Sequence, residues 1–418
     1  MSTRATVLAP LRNRDFRLLF IGFALGQMLG PMQFLTQILW VQENAPRDIW
    51  LILVALIGAS RGVGALTFGL YGGALADRFD RRLLMLVTQA LLMLLTVGIA
   101  ALMILDIDST LGFVLFFSMT FLSSALLAVD IPTRLAIIPD LLPREDLGAG
   151  MSLNQLAGQL SMPLALFGIG PIILLFGFGG AYLVSSLGHL VIIICVTLMH
   201  YRATARSAET SRYTLRKSFA DIVVGLRYAR KDPVIFWVVI LLVILMSLAF
   251  PTTANLGPTW ITTVVGVKVE NAGYVMMLWG LGATGAGIAL TWFSSFERRG
   301  LLIGGGALLF ATSFLIFSIH PSLLNVAIGN VGIGAGMTIT SVSCSILIQY
   351  LVSDEVRGRI MSIFQLNMGF AQIMTMPVAL LAQWLTLEVV FPSLAILALV
   401  LVCLVLVMQP QILRATTS

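Results

Sequence analysis

The sequence predicts an all-α integral membrane protein, with twelve transmembrane helices in two pseudo-symmetric six-helix bundles. Three observations predict it. Of 418 residues, 58% are hydrophobic and 11% charged, whereas soluble domains carry about 25% charged residues. The apolar stretches are each long enough for the ~20 helical residues that cross a bilayer. The second half of the chain also repeats, weakly, a pattern of the first.

Twelve runs read as spans: 17–40, 50–76, 83–105, 110–137, 152–176, 179–201, 234–256, 272–294, 300–319, 323–350, 358–385 and 388–409. They divide the chain into an N-terminal bundle (1–201), a basic linker (202–232) and a C-terminal bundle (233–418). An even number of spans puts both termini on one side. If that side is the cytoplasm, the inner segments hold nearly all the arginines, including Arg12, Arg14, Arg78, Arg81, Arg82, Arg144, Arg298, Arg299, Arg357 and Arg359. The outer loops keep only Arg47 and Lys268, beside six acids. Positive charge retained inside sets that orientation. The formal charge of +6 therefore reads as topology, with anionic inner-leaflet lipid as counter-charge, and not as nucleic-acid binding. No cleavable signal is apparent: Arg4, Arg12, Arg14 and Arg17 precede a run too long for a signal core.

Span 1 carries Gln27, Gln33 and Gln37, with Gly30–Pro31 as an expected break. Span 2 holds Arg61 near its middle. Between spans 2 and 3, Gly72–Arg82 packs Asp77, Arg78, Asp80, Arg81 and Arg82 into six residues; so short a charged turn belongs in water or headgroups. Span 4 carries Asp130 and Arg134, four apart and hence on one helical face. Span 5 has Asn154, Gln155 and Gln159, and span 6 has His189, expected to pack or hydrogen-bond. In the linker, residues 215–231 show near-helical apolar spacing, as in an amphipathic helix on the membrane surface. Span 7 is expected to break at Pro251, ahead of Thr252, Thr253 and Asn255. Gly280, Gly282 and Gly285 in span 8 spell GxGxxG, but no strand precedes them, so they read as close helix packing with Gly332, Gly334 and Gly336 of span 10. Span 11 carries Gln365, Asn367 and Gln372. Cys195, Cys344 and Cys403 lie far apart in apolar runs and read as packing residues.

The repeat joins equivalent loops. At a constant offset of 210, Ile138, Leu141, Glu145, Gly148, Met151, Ser152, Gln155 and Leu156 meet Ile348, Leu351, Glu355, Gly358, Met361, Ser362, Gln365 and Leu366. FDRR at 79–82 recurs as FERR at 296–299. Two kindred six-helix halves related by an axis along the membrane normal follow.

Gly73, Leu75, Asp77, Arg78, Arg81 and Arg82 resemble the GxLaDrxGrr loop signature of the major facilitator superfamily, with Asp80 where a second glycine is usual. DIPTRLAIIPDLLPREDLGAGMSLNQ (130–155) and RGRIMSIFQLNMGF (357–370) resemble its macrolide-efflux and enterobactin-exporter branch. The helix 5 signature of that branch is matched only loosely, by Gly168, Gly170 and Pro171. The resemblance implies a secondary exporter in the bacterial inner membrane, both termini cytoplasmic, using proton antiport and no bound cofactor or metal. It implies a conformational-switch loop at Gly73, Asp77, Arg78, Arg81 and Arg82. It also implies that Asp130 bonds Arg81 or Arg82 and locks one state. A plain Asp130–Arg134 pair and a proton-carrying Asp130 stay open beside that reading. Gln27, Gln33, Arg61, Asn255, Gln365 and Asn367 are the candidate substrate cavity, with Met-rich walls suited to varied lipophilic ligands. Arg61 is open to three roles: binding an anionic group, neutralising Asp130, or snorkelling outward. The expected partners are a small amphipathic molecule and lipid, with the chain a monomer. The alternative class is a non-transporting receptor or scaffold with partners on the basic linker.

Overall fold

The computed structural model of the chain describes residues 8–107, 109–201, 227, 230, 232–293, 296–352 and 367–416, without the side chains of residues 70–74, 76 and 77. The amphipathic stretch 215–231 and Gln365 lie outside these residues almost or wholly. So does the part of the repeat that covers 353–366.

Eleven of the described helices are long and apolar enough to cross a membrane. One of them, Leu147–Leu198, has 52 residues, about 78 Å at 1.5 Å per residue and more than twice the ~30 Å hydrocarbon core. It is two helices joined at Gly177, whose φ of 67° and ψ of −178° leave the helical region. That backbone is open to glycine and closed to residues with a Cβ. The described spans thus become twelve: α1 (Arg14–Asn44), α2 (Trp50–Arg78), α3 (Arg81–Ile104), α4 (Thr110–Leu141), α5 (147–176), α6 (178–198), α7 (Pro233–Asn255), α8 (Val269–Trp292), α9 (Arg299–Ile319), α10 (Leu323–Leu351), α11 (Asn367–Leu385) and α12 (Leu387–Met408).

Short polar side chains start several of these helices by accepting the first free N–H groups, an N-cap. Asp80 Oδ1 takes Leu83 N–H at 2.9 Å, Ser109 Oγ takes Gly112 N–H at 3.2 Å, Asp232 Oδ1 takes Val234 N–H at 2.8 Å, and Ser322 Oγ takes Asn325 N–H at 3.2 Å. Asp80 therefore stands at its unusual place in the charged turn as the cap of α3.

Two expected breaks are absent. Helix α1 runs unbroken through Pro31. Helix α7 widens where it was expected to break. Leu245–Ala249 and Pro251–Asn255 form π turns, followed by a helical turn at Gly257–Thr259 and a third π segment, Trp260–Val264. A turn of five residues absorbs the proline's missing N–H by local adjustment and keeps the chain helical.

The chain forms two compact units, Met1–Asn44 with Val63–Tyr213, and Ala45–Gly62 with Thr214–Ser418. The first part of α2 groups with the second unit. In the first unit α1 and α3 pack along the α5–α6 run, and α3 packs on α4. In the second, α10 packs on α8 and α9, and α9 on α12. Glycine sets the closeness of α8 and α10. A Cβ at Gly282 would overlap the Val331 carbonyl, and one at Gly334 the Trp279 carbonyl, whereas Gly285 and Gly287 face open space. In a membrane, where apolar surface gains nothing by leaving lipid, such backbone approach is a main source of helix association.

Gly334→Ala is expected to push α8 and α10 apart and cost about 1–3 kcal/mol, as overpacking does. Gly285→Ala, which meets open space, should leave the melting temperature of the detergent-purified protein unchanged. Equal effects of the two substitutions in a thermal melt would remove this account of the packing.

Candidate functional site

The interior of the first unit is layered. At the end carrying Arg81 and Arg82 lies a charged layer. Arg81 Nη1 donates to Ala136 O at 2.7 Å and to Asp140 Oδ2 at 2.9 Å. The Tyr201 hydroxyl donates to the same Asp140 oxygen at 2.7 Å. Arg82 donates through Nε to Val196 O at 3.1 Å and through Nη2 to Thr197 O at 2.7 Å. These are carbonyls of the last turn of α6, where Val196 O also takes the Met199 N–H at 3.3 Å and the negative end of the helix favours a cation. His200 follows, its N–H donating to Asp15 Oδ1 at 3.1 Å, with Arg14 Nη1 2.7 Å from its Nδ1. Burial, and then the bond to Asp140, pushes the Tyr201 hydroxyl up to about 12, so it remains a donor at neutral pH.

Next comes an apolar layer, built from Phe16, Leu19 and Leu29 of α1, Met85 of α3, Ile137 and Ile138 of α4, Leu153 of α5, and Ile192 and Val196 of α6. All are buried.

Beyond it lies a polar group deep in the span. Asp130 is eleven residues from the end of α4, about 16 Å along the helix. It is fully buried, and Arg134 is 6% exposed. Asp130 Oδ2 and Arg134 Nε form an ion pair at 2.5 Å. The contact lacks hydrogen-bond angles at both atoms, so charge rather than a directed bond holds it. Asp130 Oδ1 accepts a directed bond from Thr88 Oγ1 at 2.9 Å. The Arg134 guanidinium lies against α1 at Gly26, where a Cβ would sit 2.5 Å from Nη1.

A second polar group spans α3, α6 and α1. His189 Nδ1 is 2.8 Å from Gln89 Oε1. Gln33 Nε2 lies 3.4 Å from His189 Nε2, 3.1 Å from Ser185 Oγ and 3.3 Å from Thr96 Oγ1. Two N–H hydrogens shared among three acceptors leave this amide adjustable. One turn further along α1, Gln37 Nε2 donates to Thr120 Oγ1 at 3.1 Å and to the Tyr182 hydroxyl at 2.9 Å. Helical periodicity assembles the set: Gln33 and Gln37 are four apart, and Tyr182, Ser185 and His189 share a face of α6.

The second unit has its own amide cluster. Asn255 Nδ2 donates to Gln372 Oε1 at 3.0 Å and to Thr375 Oγ1 at 2.5 Å. Its Oδ1 is buried and has no hydrogen-bond partner among the described residues. Gly58 of α2 permits the approach, since a Cβ there would be 3.2 Å from Asn255 Nδ2.

Several sequence-based expectations change. Asp130 does not meet Arg81 or Arg82: Arg81 has Asp140, Arg82 has the α6 carbonyls, and Asp130 has Arg134 and Thr88. The Asp130–Arg134 pair is buried, not on the helix surface. Of the expected switch loop, Gly73 and Asp77 fall among residues whose side chains are not described, and Arg78 is exposed over the Phe79 ring at 5.9 Å. Of the expected cavity residues, Gln27 is exposed beside Gly158, while Arg61 and Asn367 are half-buried. Gln33 and Asn255 sit at the centres of the two clusters. Sequence reasoning missed Asp140, Tyr201, Thr88, Gln89 and Thr96. Thr88 and Gln89, with Thr96 two turns further along, are polar residues in an otherwise apolar span, which was the available signal.

The Major Facilitator Superfamily model matches residues 19–376, and the chain belongs to that family of membrane transporters. No curated protein matches the sequence. Among solved structures, a mutant of the nucleoside transporter NupG is similar with a TM-score of 0.78 and 13% identity, over 95% of this chain and 100% of that one. A POT family transporter solved with 5-aminolevulinic acid is similar with a TM-score of 0.76 and 14% identity, over 96% and 97%. At such identity these likenesses speak for the fold. The protein is thus a multi-pass membrane protein of a transporter family.

The raised Tyr201 hydroxyl sets a pH dependence. Because folding raises its pKa, the folded state holds that proton more tightly, so this contribution is intact below about pH 10 and lost as pH rises towards about 12. Thermal melts across that window should show native protein losing more stability than Tyr201→Phe. Parallel losses would refute the assignment.

Proposed function

We propose that the protein is a secondary active exporter of small amphipathic molecules, driven by proton antiport through alternating access. The observation that carries the reading is the buried Asp130–Arg134 pair in the last third of α4. Two charges withdrawn from water cost several kcal/mol each before their attraction repays it. A merely structural bundle reaches the same packing with apolar side chains, so intramembrane ion pairs mark ion or substrate pathways. Beside the pair, the group of His189, Gln89, Gln33, Ser185 and Thr96 supplies hydroxyls and amides that can orient a proton. Met28 and Met32 of α1 and Met276 and Met277 of α8 offer adaptable apolar contacts.

The chain is read as a monomer of the bacterial inner membrane, both termini cytoplasmic, its arginine-rich loops facing anionic lipid. Arg81, Arg82, Asp140 and the end of α6 form the latch of the first unit on that side. Arg78 is free to meet headgroups.

Everted membrane vesicles made acid inside are expected to accumulate a fluorescent lipophilic cation such as ethidium, and to stop when a proton exchanger collapses the gradient. Arg134→Gln should lower the initial rate at least about tenfold, the loss of one ~1.4 kcal/mol step. Accumulation that survives gradient collapse would exclude antiport. No flux of any lipophilic probe would favour a receptor or scaffold.

A further inference from the structure

We propose that His189 is the proton-binding group of the first unit, and that its proton competes with Arg134 for Asp130. The inference rests on the antiport reading for its purpose, and on geometry for its content.

His189 is 3% exposed on α6. Gln33 faces it from α1 and Gln89 from α3. Asp130 and Arg134 of α4 reach its surroundings through α3 and α1: Thr88, which bonds Asp130, adjoins Gln89 in the chain, and Gly26, against which Arg134 lies, is two turns from Gln33. With Gln89 Oε1 accepting from Nδ1–H, Nε2 is bare and accepts from Gln33 Nε2. The neutral ring then has both nitrogens satisfied. A proton arriving at Nε2 turns that acceptor into a donor, which a fixed donor opposite would resist. Gln33 is not fixed. Rotating its carboxamide by half a turn presents Oε1 in place of Nε2, and the neighbours there are the Thr96 and Ser185 hydroxyls, which can donate or accept. After that rotation a second proton on the ring meets an oxygen acceptor. Gln89 Nε2, buried and without a hydrogen-bond partner among the described residues, shows that the present arrangement is not saturated.

Asp130 is the less available site. Thr88 occupies Oδ1 and Arg134 occupies Oδ2, so a proton there must first displace a guanidinium. An imidazolium at 189 instead draws on the carboxylate's charge from a distance. Two cations then share one anion, and the attraction of Asp130 for Arg134 weakens. The guanidinium already lies on Gly26, where the missing side chain leaves it room on α1. Proton binding at His189 and tight pairing of Arg134 thus oppose each other.

The test is nuclear magnetic resonance of full-length protein in lipid nanodiscs, with labelled histidine. The chain has three histidines, and His189→Gln assigns the signal. As pH falls from about 8 to about 4, the His189 ring is expected to pass from a single neutral tautomer to imidazolium. The midpoint should rise by about one pH unit in Arg134→Gln and fall by about as much in Asp130→Asn. It should also fall in Gln33→Leu, which cannot offer an oxygen. A ring that stays neutral throughout, or a midpoint indifferent to all three substitutions, overturns the proposal. No substrate or gradient enters this measurement, so it stands apart from transport. A titrating His189 in a chain that moves no ethidium supports the site and removes the antiport reading. Gradient-driven ethidium flux unchanged in His189→Gln removes the site and leaves antiport in place.

Discussion

A carboxylate and a guanidinium held together in hydrocarbon organise the first unit. Removing one partner of such a pair strands the other and costs about 3–5 kcal/mol. Each neighbour therefore serves to keep both ends supplied. Thr88 gives Asp130 its one directed hydrogen bond, and Gly26 gives the guanidinium a place against α1. A third charge near the pair acts on it strongly because the low dielectric barely screens it.

An apolar cluster separates the charged end of the first unit from its buried polar groups. Residues from five helices, α1 and α3 to α6, fill the space between those groups and the charged end. Water crossing there must part close-packed side chains such as Leu29, Met85 and Ile192. Arg81 and Arg82 hold that plug shut without entering it, since both bond to helix ends. Arg82 matches the negative end of α6, and Arg81 ties the last turns of α4 to Tyr201 through Asp140. A charged loop of this kind works as a strap over helix termini. Its arginines need carbonyls and one acid at the rim, not the acid in the core.

The same distinction separates what was legible in the chain from what was not. Spans were legible because length and hydropathy are local properties; even the division at Gly177 stands at the turn read between residues 176 and 179. The family was legible from the charged loop. The partner of Arg81 was not, because Asp130 and Asp140 lie on the same helix and both are acidic. Choosing between them needs the depth at which α3 meets α4, a tertiary quantity. The proline positions misled for a related reason. Proline removes one donor, but whether a helix then breaks depends on its surroundings, and α1 and α7 keep their course in different ways. Thr88, Gln89 and Thr96 were passed over because single polar residues in an apolar span look incidental until their partners on other helices are known.

The two amide clusters differ in a way that bears on mechanism. In the first unit the amides serve charges: Gln33 and Gln89 bracket an imidazole whose surroundings reach Asp130 and Arg134. In the second, Asn255 joins Gln372 and Thr375, all neutral, on a helix wound into π turns. A buried amide oxygen with no donor costs about 1–3 kcal/mol, and Asn255 Oδ1 is such an atom among the described residues. That cost is recovered only when something supplies an N–H or O–H. Buried amide oxygens without a partner among the described residues occur in both units, Gln37 Oε1 and Asn154 Oδ1 in the first and Asn255 Oδ1 and Asn330 Oδ1 in the second, so what separates the two clusters is the charge beside the first. A neutral acceptor discriminates little among the molecules that carry a donor, whereas a site that lacks its donor rejects those without one. Breadth towards amphipathic compounds and dependence on a single donor are therefore compatible in the same helix.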